Sequence, residues 1–283
     1  MPDKKKIIIL GANGMLGKAA CRLFSGHYNI FPFDLNDFDI RDAGALRRHI
    51  SDIKPYLTLN CAAYTDVDGC EEKSELAFEV NGRAPGLIAA VCREFSVYFI
   101  HFSTDYIFNG EKTSEYTEED KPQPLSVYGQ SKLEGEKRIM LSGGNNLIVR
   151  TSWLYGPFGK NFVSSIIAAA KDKREISVVN DQTGRPTFTY DLLDCAGWLI
   201  DRKITGIIHA CNSGTCSWFD FAESIIKIKG IPAKIKAIKS DELRRPAKRP
   251  ENSVLSVNKL VSLGYKEIRP WNDALKTYIE EYL

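Results

Sequence analysis

The sequence predicts an α/β protein with a doubly wound parallel sheet and a smaller C-terminal α/β lobe. Through the first half, short apolar segments rich in β-branched and aromatic residues alternate with stretches of helix length. That alternation is typical of a parallel sheet with helices on both faces. The short segments are also apolar at successive positions, as in Ile7-Ile8-Ile9-Leu10, which indicates strands that are buried on both sides.

The elements follow in order along the chain. The predicted strands are residues 6–10, 28–33, 56–60, 97–102 and 147–150, and the predicted helices are residues 16–24, 43–53, 86–94 and 126–141. After residue 150 the alternation is less regular, and residues 161–171, 182–189 and 231–252 carry more loop, proline and charge. We therefore expect residues 1–155 to form the sheet domain. Residues 156–283 are expected to form mainly a lobe that faces the carboxyl ends of the strands, with some segments returning to the first domain.

The composition excludes several classes of protein. Of the 283 residues, 43% are hydrophobic and 26% are charged, the balance of a globular protein rather than a disordered or fibrous one. The formal charge is only +2, so no global field attracts nucleic acid or an anionic membrane. No apolar segment approaches the roughly 18 residues of a membrane span or the core of a signal peptide. We expect a cytoplasmic protein that binds neither nucleic acid nor membrane.

The cysteines support the same expectation. The seven cysteines are an odd set without a C-x-x-C motif and do not cluster with the four histidines, which argues against a disulfide framework or a zinc site. We interpret them as buried free thiols.

A glycine-rich loop follows the first predicted strand and begins the first predicted helix. Backbone N–H groups and the positive end of the helix dipole can bind a pyrophosphate there, and glycines allow it to approach closely. The position between strand and helix therefore predicts a Rossmann-like NAD(P)-binding domain. Its expected contacts are Gly11, Asn13, Gly14, Met15, Leu16 and Gly17.

Asp34 ends the second strand about twenty residues after this loop. A carboxylate there can accept hydrogen bonds from the adenosine ribose and would repel a 2′-phosphate. Since no Lys or Arg follows within the next few positions, Asp34 favours NADH over NADPH, although an exposed aspartate in a turn is the alternative. Asp39 and Ile40 lie slightly further on and are expected to border the adenine.

Tyr128 and Lys132 are four residues apart in a predicted helix, so both side chains lie on one face. A free phenol has a pKa of about 10, and a nearby ammonium is expected to lower that pKa so that the phenol can exchange a proton near neutrality. The lysine can also hold a nicotinamide ribose. The spacing alone is common on surface helices, but after a dinucleotide loop it favours a catalytic pair.

A third catalytic residue is expected where the preceding strand ends. Residues 103–105 follow the predicted strand 97–102, and the hydroxyl of Thr104 could donate a hydrogen bond to the oxygen of a carbonyl that is being reduced. Ser103 remains an alternative for this role, and a polar exit from the strand is an alternative for the whole tripeptide.

The segment 227–249 is rich in lysine and arginine. One interpretation is a solvated surface. The other is that one or two of its arginines reach into the cleft and bind a diphosphate.

Together these motifs resemble the extended short-chain dehydrogenase/reductases, and more narrowly their dTDP-4-dehydrorhamnose reductase branch, over nearly the whole chain. The resemblance rests on the glycine loop, on Tyr128 with Lys132, and on residues 60–65, 103–108, 150–156, 181–187 and 249–253. The glycine loop and the Tyr–Lys pair are shared across the superfamily. The segments containing Thr-Asp-Tyr, Thr-Ser-Trp and Asp-Gln are typical of a much narrower group of proteins.

The resemblance implies reduction of the C4 ketone of dTDP-4-dehydro-L-rhamnose by hydride from NADH or NADPH, with Tyr128 as the proton donor. It implies that the cofactor site includes Gly14, Met15, Leu16, Asp34, Ala62, Ala63, Tyr64 and Phe102, and that the nucleotide sugar contacts Thr104, Asp105 and Trp153. An indole such as Trp153 offers a flat apolar wall for a sugar or base. Asn81 resembles the asparagine that positions the catalytic helix through backbone contacts.

Several alternatives remain open at this stage. Similar sequences include epimerases and dehydratases of other nucleotide sugars, and non-catalytic regulatory subunits of methionine adenosyltransferase. Some relatives are described as metal-bridged dimers with an acidic or amide residue where this chain has Met15. Because a thioether is a poor ligand for magnesium, we expect no metal here. A homodimer without metal remains an expectation.

Overall fold

The computed structural model describes residues 4–172 and 174–283. Its main sheet has six strands, five of them close to the predicted ones. They are β1 (Lys6–Leu10), β2 (Asn29–Phe33), β3 (Leu57–Asn60), β4 (Tyr98–Thr104), β5 (Asn146–Thr151) and β10 (Gly206–His209). The order is β10-β5-β4-β3-β1-β2, and each pair is parallel. The predicted fold class is confirmed.

Helices cover both faces of this sheet. The helices of the first half are α1 (Met15–Phe24), α2 (Ala43–Ile53), α3 (Val67–Glu72), α4 (Ser74–Ala77), α5 (Ala84–Glu94) and α6 (Val127–Ser142), with a π-helical segment at Phe78–Arg83 and a 3-10 turn at Asp105–Ile107. The sequence did not predict α3, α4 or the π-helical segment. The strand order reverses between β1 and β3, so the crevice at their carboxyl ends is the position where open α/β sheets bind ligands.

The second half adds short strands and further helices. The strands are β6 (Leu154–Tyr155), β7 (Glu175–Val179), β8 (Thr183–Gly184), β9 (Thr187–Phe188), β11 (Cys216–Ser217) and β12 (Lys234–Ile238). The helices are α7 (Phe162–Asp172), α8 (Thr189–Asp201), α9 (Trp218–Lys229), α10 (Asn258–Ser262) and α11 (Trp271–Tyr282), with a 3-10 turn at Ser240–Glu242. Residues 162–172 are helical and pack through Val163, Ile166 and Ile167, so the segment 161–171 contains less loop than the sequence indicated.

The described part of the chain has four apolar clusters, and two of them show how its halves are connected. One lies under the main sheet and includes residues of α8, β10 and the segment 260–268, whereas another joins α7, α9 and α11 around Tyr155 and Phe188. The chain therefore leaves the main sheet after β5, returns for α8 and β10, and leaves again. The domain boundary at residue 155 stays a prediction. No helix in the described part of the chain is long and apolar enough to cross a membrane.

Candidate active site

Two cavities meet at the carboxyl ends of β1, β3, β4 and β5. One has a volume of about 380 Å³ and lies between the glycine loop and the end of β2. Its neighbour has a volume of about 490 Å³ and lies between β4, α6 and the second lobe. Both are lined by Gly14, Cys61, Ala62 and Ala63, so they form adjoining parts of one crevice.

The glycine loop presents bare backbone to this crevice. Gly11 has a φ of +73°, and a Cβ at this position would lie 2.6 Å from the Ala62 nitrogen. Gly14 precedes α1 and supplies no side-chain cap to the helix, so the first N–H groups of α1 remain available to an anion. Gly17 serves packing instead, because its Cβ would lie 2.1 Å from the Gly11 carbonyl oxygen. The donor set and the space fit a dinucleotide pyrophosphate.

The acidic side chains after β2 are engaged by the protein. Asp34 accepts hydrogen bonds from the backbone nitrogens of Asn13 and Leu35, each at 2.8 Å. Arg41 forms an ion pair with Asp39 and holds the pKa of that carboxyl below its usual value. Arg41 lines the same cavity as Asp34, so a cation is closer to the predicted ribose site than the sequence spacing suggested.

Tyr128 occupies the first turn of α6, which begins at the N-cap Ser126. Its ring packs edge-on against Tyr106 at 6.0 Å between ring centroids. Asn81 contacts this helix at Ser131, three residues after Tyr128. Its Nδ2 donates to the Ser131 hydroxyl at 3.2 Å and to the Tyr64 carbonyl at 2.9 Å, and its Oδ1 accepts from the Tyr64 nitrogen at 2.8 Å. The backbone contacts of this side chain are thus with Tyr64, and the positioning role that the resemblance implied for Asn81 stays a prediction.

The predicted effect of Lys132 on Tyr128 is wrong in this structure. Burial raises the pKa of the Tyr128 phenol above its usual value of 10.0, opposed mainly by the nearby Thr104 hydroxyl. The Lys132 amine instead donates to the Phe102 carbonyl at 2.6 Å and lies 3.1 Å from His101 Nε2. The four-residue spacing places both side chains on the crevice side of α6, but β4 supplies the contacts of the amine.

Thr104 and Asp105 form a buried pair beside Tyr128. Strand β4 extends through Thr104, two residues beyond the predicted end, and the Thr104 hydroxyl donates to Asp105 Oδ1 at 3.0 Å. Asp105 is 2% exposed, and its Oδ2 has no hydrogen-bond partner among the described residues. Burial raises the pKa of this carboxyl to about 7.

Trp153 forms the wall from the second lobe. It adopts a φ of +46°, and its indole stacks on Trp218 with ring centroids 3.6 Å apart. Gly184 also packs against this indole, since a Cβ there would lie 2.4 Å from the indole Cε2. Trp153 lines the same cavity as Tyr128 and Lys132.

Most of the predicted residues come together in this crevice. Gly11, Gly14, Asp34, Asp39, Ile40, Ala62, Ala63 and Tyr64 line the first cavity, and Met15, Leu16, Phe102, Thr104, Asp105, Tyr128, Lys132 and Trp153 line the second. Asn13 and Gly17 line neither. The roles assigned to all these residues stay predictions.

Sequence reasoning missed other lining residues. They are Leu10, Phe33, Leu35, Phe38, Arg41, Leu76 and Val80 in the first cavity, Thr65, Thr151, Ser152, Leu154, Gly159 and Lys160 in the second, and Cys61 in both. Thr151 and Ser152 lie in the motif 150–156, where their position after a strand was the available signal. Gly159 and Lys160 carry no such signal. Gly159 packs on Met15, and Asn161 Nδ2 lies 3.9 Å from the Met15 sulfur, so this segment covers the glycine loop.

Part of the basic segment lines a separate cavity, which shares no lining residue with the two cavities of the crevice. Arg249 is mostly buried and bonds Asp68 at 2.8 Å, and burial together with Arg249 lowers the pKa of Arg245. A cavity of about 340 Å³ is lined by Arg244, Arg245, Lys248 and Arg249. No cluster of three or more His, Cys, Asp or Glu residues that could hold a metal occurs within residues 4–172 and 174–283.

The family described as the RmlD substrate binding domain matches residues 5–283. The chain belongs to this family. It is 36% identical to the spore coat polysaccharide biosynthesis protein SpsK of Bacillus subtilis, covering 98% of this chain and 97% of that protein.

Solved structures of the family agree closely with this chain. A dTDP-4-dehydrorhamnose reductase of Clostridium acetobutylicum is 40% identical with a TM-score of 0.95, covering 97% of this chain and 98% of that chain. The enzyme of that name from Bacillus anthracis, solved in complex with NADP, is 35% identical with a TM-score of 0.96, covering 98% of this chain and 99% of that chain.

Proposed function

We propose that this protein reduces the C4 ketone of dTDP-4-dehydro-L-rhamnose to dTDP-L-rhamnose, using NADPH or NADH. The observation that carries the proposal is the convergence of Thr104, Asp105, Tyr128 and Lys132 on one cavity beside the glycine loop. Family membership over residues 5–283 supports the same activity. When bound, the reduced nicotinamide supplies a hydride to C4, and one proton must then reach the carbonyl oxygen.

Tyr128 is the proposed proton donor. Because burial raises the pKa of its phenol, the side chain stays protonated at neutral pH, which is the form that a reduction requires. An alkoxide is a stronger base than a phenolate, so the proton transfer to the new alcohol is favourable. Thr104 is proposed to turn its hydroxyl from Asp105 to the ketone oxygen, where it would stabilise the developing charge.

The dinucleotide is proposed to lie along the glycine loop, with its ribose near Lys132. Asp34 can still accept from a ribose hydroxyl, since each carboxylate oxygen has more than one lone pair. Arg41 lies beside the same cavity. Its guanidinium is proposed to leave its ion pair with Asp39 and bind a 2′-phosphate instead. This arrangement weakens the preference for NADH that Asp34 alone indicated, and the NADP complex of the Bacillus anthracis enzyme favours NADPH.

The nucleotide sugar is proposed to bind between Trp153 and Asp105. The arginines around Arg245 form a basic cavity near Tyr106, and guanidinium groups bind phosphates well. We propose that the diphosphate lies on this side of the crevice. A homodimer and a cytoplasmic location stay predictions.

Replacing Tyr128 with Phe tests the proposal. Purified protein is supplied with dTDP-4-dehydro-L-rhamnose and NADPH or NADH, and the product is identified while cofactor consumption is measured. Tyr128→Phe should bind the dinucleotide normally and lose at least about 100-fold in kcat, the usual contribution of a positioned acid. Tyr28→Phe is the matched control, because Tyr28 lines a different cavity and should retain full turnover.

Three results would contradict the proposal. Near-normal turnover of Tyr128→Phe would show that Tyr128 is not the proton donor. A wild-type protein that converts a nucleotide sugar without net consumption of added cofactor would be an epimerase or dehydratase, and one that reduces no keto-sugar but binds a synthetase would be a regulatory subunit.

A further inference from the structure

A row of three buried side chains leads from the floor of the crevice to Lys132. Asn60 and His101 are register partners on the adjacent strands β3 and β4, and they are each 1% exposed. Asn60 Nδ2 lies 3.0 Å from His101 Nδ1, and His101 Nε2 lies 3.1 Å from Lys132 Nζ. The imidazole therefore bridges the asparagine amide and the lysine amine.

The orientation of the Asn60 amide determines which atoms donate and which accept in these hydrogen bonds. The backbone nitrogen of Ala62 donates to Asn60 Oδ1 at 3.1 Å, which fixes the orientation of the amide. Its Nδ2, a donor only, then faces His101 Nδ1, so this ring nitrogen must accept. A neutral imidazole in this state carries its proton on Nε2 and donates it to Lys132 Nζ. The amine accepts that proton only in its neutral form, while it donates its own hydrogen to the Phe102 carbonyl.

A protonated Lys132 requires the opposite arrangement. An ammonium has three donors and no acceptor, so His101 Nε2 must then accept and the ring proton must move to Nδ1. Asn60 must turn its amide so that Oδ1 faces this proton, and the hydrogen bond to Ala62 is lost. Ala62 lines both parts of the crevice. The charge of the amine is therefore linked to a backbone donor at the proposed dinucleotide site.

The surrounding charges allow Lys132 to change its protonation state while His101 stays neutral. Burial lowers the pKa of Lys132 to about 8, opposed by Glu136 one turn along α6. Burial and the neighbouring lysine lower the pKa of His101 well below its usual range. Glu136 is itself paired with Arg150 of β5 at 2.7 Å. The other titratable side chains that line the cavity with Lys132 are Tyr128 on the same helix, Asp105 after β4, Cys61 after β3 and Lys160 from the second lobe.

We propose that His101 is a positioning residue for Lys132, and that its two neutral tautomers alternate with the charge of that amine through the orientation of Asn60. This inference rests on the proposed function only for its effect on turnover. The tautomers themselves are a property of the protein without substrate.

Nitrogen NMR of the full-length protein tests the tautomers directly. The chain has four histidines, so protein labelled with ¹⁵N-histidine gives few signals, and His101→Gln identifies the one that belongs to His101. From about pH 6.5 to about pH 9.5, the proton of His101 should move from Nδ1 to Nε2 with a midpoint near the Lys132 pKa of about 8. The proposal is overturned if His101 keeps one tautomer across this range, or if it is an imidazolium at the lower end of the range. Both results are independent of the proposed reductase activity.

The pH profile of kcat separates positioning from simple packing. His101→Phe keeps a ring but removes the imidazole partner of both forms of the amine. The ammonium loses more, because a charge-assisted hydrogen bond is stronger than a neutral one, so the pKa of Lys132 falls. The basic limb of the profile, which reports the loss of the Lys132 proton, should then move about one unit toward acid. In His101→Gln the side-chain amide can still donate or accept, so the limb should return close to its wild-type position. Equal midpoints in all three proteins would overturn the proposal, and if His101→Phe does not fold, the NMR titration of the wild-type protein still decides.

Discussion

At the scale of single residues, the site depends on groups whose burial changes their acidity. Tyr128 and Asp105 are kept in their protonated forms over a wider pH range, and Lys132 is shifted toward its neutral form. All three directions have burial as the main cause. Charge neighbours deduced from sequence spacing are secondary, which is why the spacing of Tyr128 and Lys132 predicted the wrong direction for the phenol.

Asp105→Asn should make stability less dependent on pH. The carboxyl has a pKa of 3.8 when unfolded and about 7 when folded, so between these values the native state holds a proton that the unfolded state releases. The free energy of unfolding of the wild-type protein therefore falls as pH rises from about 4 to about 7, by up to roughly 1.4 kcal/mol per unit. Asparagine cannot ionise and can still accept from Thr104, so the variant should be more stable above about pH 7.

Urea unfolding of both proteins at a series of pH values measures this difference. Burial lowers the pKa of His209 to about 3. This histidine therefore lowers the free energy of unfolding as pH falls, whereas Asp105 lowers it as pH rises. His209 is present in both proteins and cancels in the comparison. A stability difference that stays constant between about pH 4 and about pH 7 would contradict the proposed titration of Asp105.

At the scale of elements, α6 is held by close contacts with neighbouring backbone and by a buried ion pair. A Cβ at Gly135 would lie 2.2 Å from the Asn81 carbonyl oxygen, and a Cβ at Gly129 would lie 2.2 Å from the Tyr106 carbonyl oxygen. The buried Glu136–Arg150 pair joins the helix to β5. The position of Tyr128 and Lys132 is thus set by the π-helical segment, the turn after β4 and the central sheet.

Gly135→Ala should destabilise the protein and reduce turnover. Alanine favours a helix over glycine by about 1 kcal/mol, but here its methyl group collides with a backbone oxygen that cannot move without disturbing Asn81. We expect a net loss of about 1–3 kcal/mol in the free energy of unfolding, measured by urea unfolding, with a lower kcat because α6 shifts.

Gly197→Ala in α8 is the matched control, since its Cβ would meet only Phe24 at 3.5 Å. That variant should be neutral or slightly more stable. If the two substitutions have equal effects on stability, close packing at Asn81 does not determine the position of α6.

Some strands and helices could be predicted from the sequence, and others could not. Strands such as Lys6–Leu10 were predictable because burial on both faces leaves a continuous apolar segment. The π-helical segment at Phe78–Arg83 has no periodic signature, and strands of two residues such as Thr187–Phe188 are too short to show alternation. The contact between His101 and Lys132 depends on strand register and helix rotation, which spacing along the chain does not contain.

The candidate site was predictable to the extent that it follows strand ends. Glycine loops, Thr104 and Trp153 all lie where a strand stops, so the rule that ligands bind at the carboxyl ends of parallel strands locates them. Lys160 and Arg41 come from loops whose path is set by tertiary packing. Their presence in the crevice could not be deduced from neighbouring residues.

At the scale of the whole molecule, the two apolar cores are joined by repeated passages of the chain. Helix α8 and strand β10 return to the main sheet between β9 and α9, and residues 260–268 return again before α11. Ion pairs cross the same region, including Arg249 with Asp68 and Arg185 with Glu115. Neither core can be completed while the other segments of the chain are displaced.

We therefore expect both cores to unfold in one transition, although chains of this length often unfold in steps. Trp198 packs with Tyr265 against the core of the main sheet, whereas Trp153, Trp218 and Trp271 pack on the other core. In Trp198→Phe, tryptophan fluorescence reports the second core alone while far-UV circular dichroism reports the whole chain. The urea midpoints of the two signals should coincide. A fluorescence transition at clearly lower urea would mean that the second core unfolds independently, and that the returning segments do not hold it to the sheet.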